Sequence, residues 1–362
     1  MRMTSDASCA RSASRSICAN GSSSMSNILM IHTGGTLMMR PGRDSSTLEP
    51  ADYARDLVAE LPILKTVGKI DTRILFNLDS GDMQPHHWVA LAELIHNEIQ
   101  SYDGVVVVHG TDVMAYTASA LTFLLPGLDR PVVLTGSQRP LFEIRTDARV
   151  NLVDACHIAT LAVPEVGIAF ASKFLRGCRA TKLDAWGFDA FASPLCQPLV
   201  ELGLGAILAP HVLQPRAAGA FDPRIDSNVL SVRLFPGLNP DLLRHSIDSG
   251  VHGIVLEAYG AGNVPHLERS FIPAIARATQ AQVPVVIVSQ CPRGATELQL
   301  YPGAAAASEA GAISGGDMTI EAALTKLMVT LGRAPAGKVL EFVASAFRRP
   351  LLGEMSRDLP FR

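Results

Sequence analysis

Ile28-Leu29-Met30-Ile31-His32 runs directly into Thr33-Gly34-Gly35-Thr36, and Val105-Val106-Val107-Val108-His109 runs into Gly110-Thr111-Asp112. A short unbroken apolar run, closed by a glycine- and hydroxyl-rich turn, reads as a strand of a buried parallel sheet. Each of these two strands delivers a threonine to its carboxyl end, the edge of an open α/β sheet at which ligands bind. Two threonines, an aspartate and several glycines gathered there suit attack on a small polar molecule.

The flanking sequence keeps the same rhythm. Residues 72–76 read as a strand ending at Asn77-Leu78-Asp79-Ser80-Gly81-Asp82, and Pro85 opens an amphipathic helix with Trp88, Leu91 and Ile95 on one face. Asp112 begins a helix to about Leu125. A strand at 131–135 leads into Gly136-Ser137-Gln138-Arg139-Pro140, then come a helix at 148–162 and a strand at 166–171. This alternation predicts an α/β fold with a doubly wound, mostly parallel sheet. Residues 208–228 are rich in Pro, Ala and Gly without periodicity and read as a linker. Strands at 229–234, 253–257 and 283–289, with helices at 240–249, 271–280 and 318–331, then outline a smaller C-terminal α/β domain.

The expected division is therefore a catalytic domain at 27–207, a linker at 208–228 and a second domain at 229–362. Residues 1–26, rich in Ser, Ala, Arg and Cys, lack the apolar core of a secretory signal. They read as a disordered tail, or as an over-long start with Met25 the true initiator.

Composition narrows the function class. Of the 362 residues 48% are hydrophobic and 18% charged, which suits a well-buried globular protein. The net charge is −3, with no basic stripe interleaved with aromatics, so nucleic acid is not expected as a partner. No apolar stretch reaches the roughly 18–20 residues that a membrane helix needs. The six cysteines form no CxxC pair, and free thiols in a reducing compartment are expected.

Each candidate side chain has two readings when taken alone. Thr33–Thr36 is either a capped glycine turn or a turn that brings amide donors to an oxyanion and a hydroxyl to a carbonyl. Asp112 is either a helix N-cap or a charged partner in a site. His109 reads as a buried polar residue bonded to backbone. Lys182 is either a surface lysine or, withdrawn from water, a base. Ser80 and Asp82 lie in a polar loop that is either a solvated turn or a place where Ser80 and backbone amides hold a substrate carboxylate.

Together the motifs carry more. Thr33–Thr36, Asp79-Ser80-Gly81-Asp82-Met83, the run from His109 to Thr117, Thr135-Gly136-Ser137-Gln138, Arg145-Thr146-Asp147 and Thr181-Lys182 resemble the bacterial L-asparaginases, the threonine-nucleophile amidohydrolases. Residues 187–194 and Gly316-Asp317-Met318-Thr319 are most similar to the cytoplasmic type I branch.

The resemblance extends from Asn27 to the C-terminus. It implies hydrolysis of L-asparagine to L-aspartate and ammonia through an acyl-enzyme on Thr36. Thr111, Asp112 and Lys182 would handle the proton, while Ser80 and Asp79, with Gly35 and Gly110, line the substrate site. It also implies no metal or other cofactor, a cytoplasmic location and a homodimer or homotetramer. Related readings are a glutaminase-asparaginase, an ammonia-generating subunit of a tRNA-dependent amidotransferase, and a non-catalytic sensor of Asn or Asp. A nucleotide-binding Rossmann domain is disfavoured, because no G-x-G-x-x-G follows the first strand.

Three positions depart from the family pattern. The segment 37–50, read as a polar lid loop, has no tyrosine, and Ser46 or Thr47 falls nearest that place. Gly81 stands where relatives carry Ser or Gln. Glu257 precedes Tyr259-Gly260-Ala261-Gly262-Asn263 where allosteric members have an arginine, so a hyperbolic rate curve is expected.

Overall fold

The computed structural model describes residues 25–41, 48–50, 57–125, 127–216 and 219–357. The first strand, β1 (Ser26–Gly34), is buried from Ile28 onward. It is followed by a short antiparallel pair, β2 (Met39–Pro41) and β3 (Leu48–Pro50), so these described parts of the expected lid loop are strands. Ser46 and Thr47 lie outside the described residues. Residues 51–61 have helical periodicity in the sequence; residues 51–56 lie outside the described residues, and α1 covers Leu57–Glu60.

Strand β4 (Gly68–Leu78) is longer than expected, eleven residues. It leads through a 3-10 turn, Ser80–Asp82, into α2 (Pro85–Glu98), which buries Trp88, Leu91 and Ile95 as its apolar face predicts. Next come β5 (Gly104–Val108), α3 (Met114–Leu124), β6 (Val132–Thr135), α4 (Ala148–Ile158) and β7 (Val166–Phe170). Helix α4 ends four residues earlier than expected. Thr160 donates its hydroxyl to the His157 carbonyl, and Pro164 follows closely.

A tight turn at Ala171 and Ser172, both with positive φ, reverses the chain into β8 (Lys173–Arg176), a hairpin strand the alternation did not signal. A small pair follows, β9 (Thr181–Lys182) with β10 (Phe191–Ala192), and then β11 (Val200–Leu202) and β12 (Ala206–Leu208). The main sheet has the order β12-β11-β8-β7-β6-β5-β1-β4. The five strands from β4 to β7 pair parallel, and the last three are antiparallel.

The second sheet is parallel throughout, in the order of β13 (Val229–Arg233), β14 (Gly253–Ala258), β15 (Val285–Ser289) and β16 (Ile313–Ser314). Its helices are α5 (Asp241–Asp248), α6 (Ile272–Gln280), α7 (Pro302–Glu309), α8 (Ile320–Arg333) and α9 (Val339–Phe347). Sequence periodicity missed α7, whose buried face is only Gly303, Ala304 and Ala307. It also missed α9.

Helix α3 packs against α8, and a single apolar cluster runs from Leu29 and Val107 through α3 to Leu327 and Phe347. The buried ion pair of Arg179 with Asp317, at 3.1 Å, crosses the same boundary. Among the described residues, no helix is long and apolar enough to cross a membrane.

Candidate active site

In the main sheet β4 and β5 flank β1 on opposite sides, so the chain leaves β1 in one direction and later returns on the other. The carboxyl ends of β1 and β5 thus border a topological switch point, where open α/β sheets form a crevice. Three turns converge there. A Cβ on Gly35 would lie 2.3 Å from the Gly110 nitrogen, and one on Gly110 would lie 2.6 Å from the Ser80 Oγ. Gly35 sits at φ +92°, a backbone that side chains with a Cβ rarely adopt, and its N–H donates to the Leu78 carbonyl at 3.0 Å. Only glycines let these backbones meet so closely.

Ser80 is buried, and its Oγ accepts from the Asp112 N–H at 3.3 Å. Asp79 is exposed and caps its own turn, its Oδ1 accepting from the Gly81 N–H at 3.0 Å. Thr36, half-buried, opens the 3-10 turn Thr36–Met38 immediately after Gly35.

From the far side β9 brings in Lys182. Its Nζ donates to the Thr111 Oγ1 at 2.9 Å and to the Asp112 Oδ1 at 2.7 Å, across some seventy residues of sequence. The lysine side chain is 18% exposed and the aspartate 69%, so the cation is largely withdrawn while its partner stays open to a ligand. The alternative of Asp112 as a helix N-cap is corrected: α3 begins at Met114, and its N-cap position is Val113, without a side-chain cap. A charge-assisted bond to an ammonium outweighs a bond to a neutral amide.

Sequence reasoning gave no role to Gln138, though it stands in one of the quoted motifs. The Thr111 hydroxyl donates to its Oε1 at 3.1 Å. Its backbone N–H is held by both oxygens of Asp147, at 3.1 and 2.9 Å, and Asp147 also takes the Arg139 N–H and the Asn151 amide. The loop carrying Gln138 is therefore tied to the start of α4.

His109 is the buried, backbone-bonded residue expected. Its Nδ1 donates to the Gly110 carbonyl at 2.7 Å, and its Nε2 accepts from Thr117, which in turn accepts from the Trp88 indole. Burial holds its pKa down at about 4. His32, at the end of β1, is likewise pushed down to about 4 by burial, and neither ring nitrogen has a partner among the described residues.

The second domain reaches the site through the neighbours of Lys182. Thr181 donates to the Glu321 Oε1 on α8 at 2.6 Å, and Arg179 donates to the Asp317 and Gly353 carbonyls. Burial raises the pKa of the Glu321 carboxyl, and the bond from Thr181 only partly offsets that.

Fold and site together define a two-domain α/β protein with a threonine–lysine–aspartate cluster at its sheet crevice. The family descriptions "Asparaginase, N-terminal" and "Glutaminase/Asparaginase C-terminal domain" match residues 27–210 and 228–341. An L-asparaginase of Thermococcus kodakarensis is 37% identical over 333 residues, covering 91% of this chain and 99% of its own. L-asparaginase 1 of Escherichia coli K12 is 38% identical over 78% of this chain and 83% of its own. The crystal structure of L-asparaginase I from Vibrio cholerae superposes with a TM-score of 0.82 at 32% identity, over 92% of this chain and all of that one. The chain belongs to the bacterial-type asparaginase family.

Proposed function

We propose that this chain is an L-asparaginase, hydrolysing L-asparagine to L-aspartate and ammonia with Thr36 as the attacking hydroxyl. The observation that carries the reading is the contact of Lys182 with both Thr111 and Asp112 at the switch point, beside the turn that holds Thr36. The Thr36 oxygen adds to the side-chain carbonyl, its proton ends on the departing ammonia, and water then cleaves the acyl ester. Thr111, Lys182 and Asp112 handle that proton, while Ser80, Asp79 and the close-set backbone at Gly35 and Gly110 line the substrate site. A hydroxyl nucleophile, a proton-handling partner and amide donors are what acyl transfer requires.

The same reading divides the chain into a catalytic unit at 27–207, a linker at 208–228 and a second unit at 229–362. It places the protein in the cytoplasm as a homodimer or homotetramer. Glu257 pairs with Arg233 at 3.2 Å in the second unit, and the dependence of rate on asparagine is expected to be hyperbolic.

Ammonia release from asparagine and from glutamine, by the full chain and by Thr36→Ala and Thr111→Val, tests the reading. Each substitution is expected to cut turnover at least ~10³-fold. A wild type inactive on both amides overturns the assignment, and an active Thr36→Ala overturns the nucleophile.

A further inference from the structure

We infer that Gln138 is a positioning residue that sets the direction of the Thr111 hydroxyl and so leaves a Thr111 lone pair facing the crevice. The inference rests on the asparaginase reading above and concerns how its proton-handling cluster is oriented.

Hydrogen-bond capacity carries it. The Gln138 Nε2 lies 3.1 Å from the Gly187 carbonyl and 3.4 Å from that of Asp184. Carbonyl oxygens only accept, so the amide NH2 must face that turn and Oε1 must face Thr111. The turn itself is fixed, because the Asp184 carboxylate accepts from the N–H groups of Trp186 and Gly187 at 2.7 and 2.9 Å.

An amide oxygen cannot donate, so the bond of 3.1 Å between Thr111 and Gln138 uses the only proton Thr111 has. One lone pair of Thr111 is then taken by an N–H of Lys182 at 2.9 Å, a bond that ammonium and neutral amine alike can donate. The other remains for an incoming hydroxyl or water. Without Gln138 the threonine proton is free to turn into the crevice, where it would meet the proton of the attacking group head-on.

The backbone of Gln138 is held by Asp147 and not by its own side chain, so exchanging the side chain leaves the loop anchored. Gln138→Leu removes the acceptor for Thr111 and the donor to the 184–187 turn. Gln138→Glu removes the same donor but keeps an acceptor.

The test is steady-state hydrolysis of asparagine across pH by wild type and both variants, with thermal unfolding alongside. Gln138→Leu is expected to lower kcat ~10- to 100-fold, with KM within ~3-fold. Gln138→Glu is expected to keep kcat within ~5-fold at its optimum. Its acid limb should move to higher pH, because an added anion favours the ammonium form of the cluster.

Wild-type kcat and an unmoved profile in Gln138→Leu overturn the inference. So does equal impairment of the two variants, the result expected if Gln138 only braces the 184–187 turn. An active wild type with either result overturns this inference alone; an inactive wild type overturns the asparaginase reading with it.

Discussion

Thr181, in the larger domain, and Glu321, on α8 of the smaller, are joined by a hydrogen bond of 2.6 Å across 140 residues of sequence. Thr181 immediately precedes Lys182, whose Nζ holds Thr111 and Asp112. The second domain thus anchors the strand that delivers the lysine. The proposed catalytic cluster, made by one domain, is held in place by a carboxylate from the other.

That carboxylate carries a cost which pH exposes. Burial raises the pKa of Glu321 in the folded chain, so the folded state binds its proton more tightly than the unfolded state does. The resulting stabilisation is present below the unfolded carboxyl's range and is lost as pH rises through the folded value. Glu321→Gln keeps an oxygen for Thr181 and removes the charge. Thermal unfolding should find it more stable than wild type by about 1 kcal/mol at pH 8, and nearly equal at pH 4. Glu321→Ala also removes the acceptor, and its kcat should fall ~10-fold as β9 loses its anchor. An identical Tm difference at both pH values for Glu321→Gln would count against the argument.

The meeting of turns at the crevice predicts a second outcome. A methyl on Gly35 would lie 2.3 Å from the Gly110 nitrogen at a backbone φ of +92°. Gly35→Ala must push β1 away from β5 at the crevice, and should destabilise the chain by about 2–4 kcal/mol while abolishing turnover. A methyl on Gly110 strikes the Ser80 side chain at 2.6 Å, and that neighbour belongs to the proposed substrate site. Gly110→Ala should therefore raise KM while destabilising the chain less than Gly35→Ala does. Urea unfolding and asparagine kinetics on both variants separate the two effects, and a Gly110→Ala enzyme with unchanged KM would contradict the placement of Ser80.

Much of this arrangement was legible because parallel strands buried on both faces are continuous apolar runs, and the residues closing them define the sheet edge. Thr36, Thr111 and Asp112 stand at such ends. Lys182 did not announce itself that way, since β9 is a two-residue strand without a pattern of its own. Its sequence left open a surface lysine or a base, and only resemblance to a family favoured the second. Gln138 and Glu321 were missed because their roles depend on contacts with segments 27 and 140 residues away, which no local spacing encodes. Similarly, β8, β11 and β12 interrupt the parallel alternation through a hairpin made by Ala171 and Ser172, neither a typical residue for positive φ.

The two histidines at the strand ends give the last prediction. His32 and His109 are both held at about 4 by burial, against 6.5 for an exposed imidazole. Between those values the unfolded chain binds protons that the folded chain refuses. Their contribution is therefore intact above pH 6.5 and is lost as pH falls towards 4, approaching about 1.4 kcal/mol per pH unit for each histidine in mid-window. The raised Glu321 carboxyl acts in the opposite sense, and the two histidines should outweigh it between pH 6.5 and 5. Urea midpoints measured at pH 7, 6 and 5 should fall steeply for wild type. His32→Leu removes one titrating group together with two unpartnered ring nitrogens, and its slope should be clearly shallower. A variant whose midpoint falls as steeply as the wild type's would mean that His32 takes up its proton without unfolding.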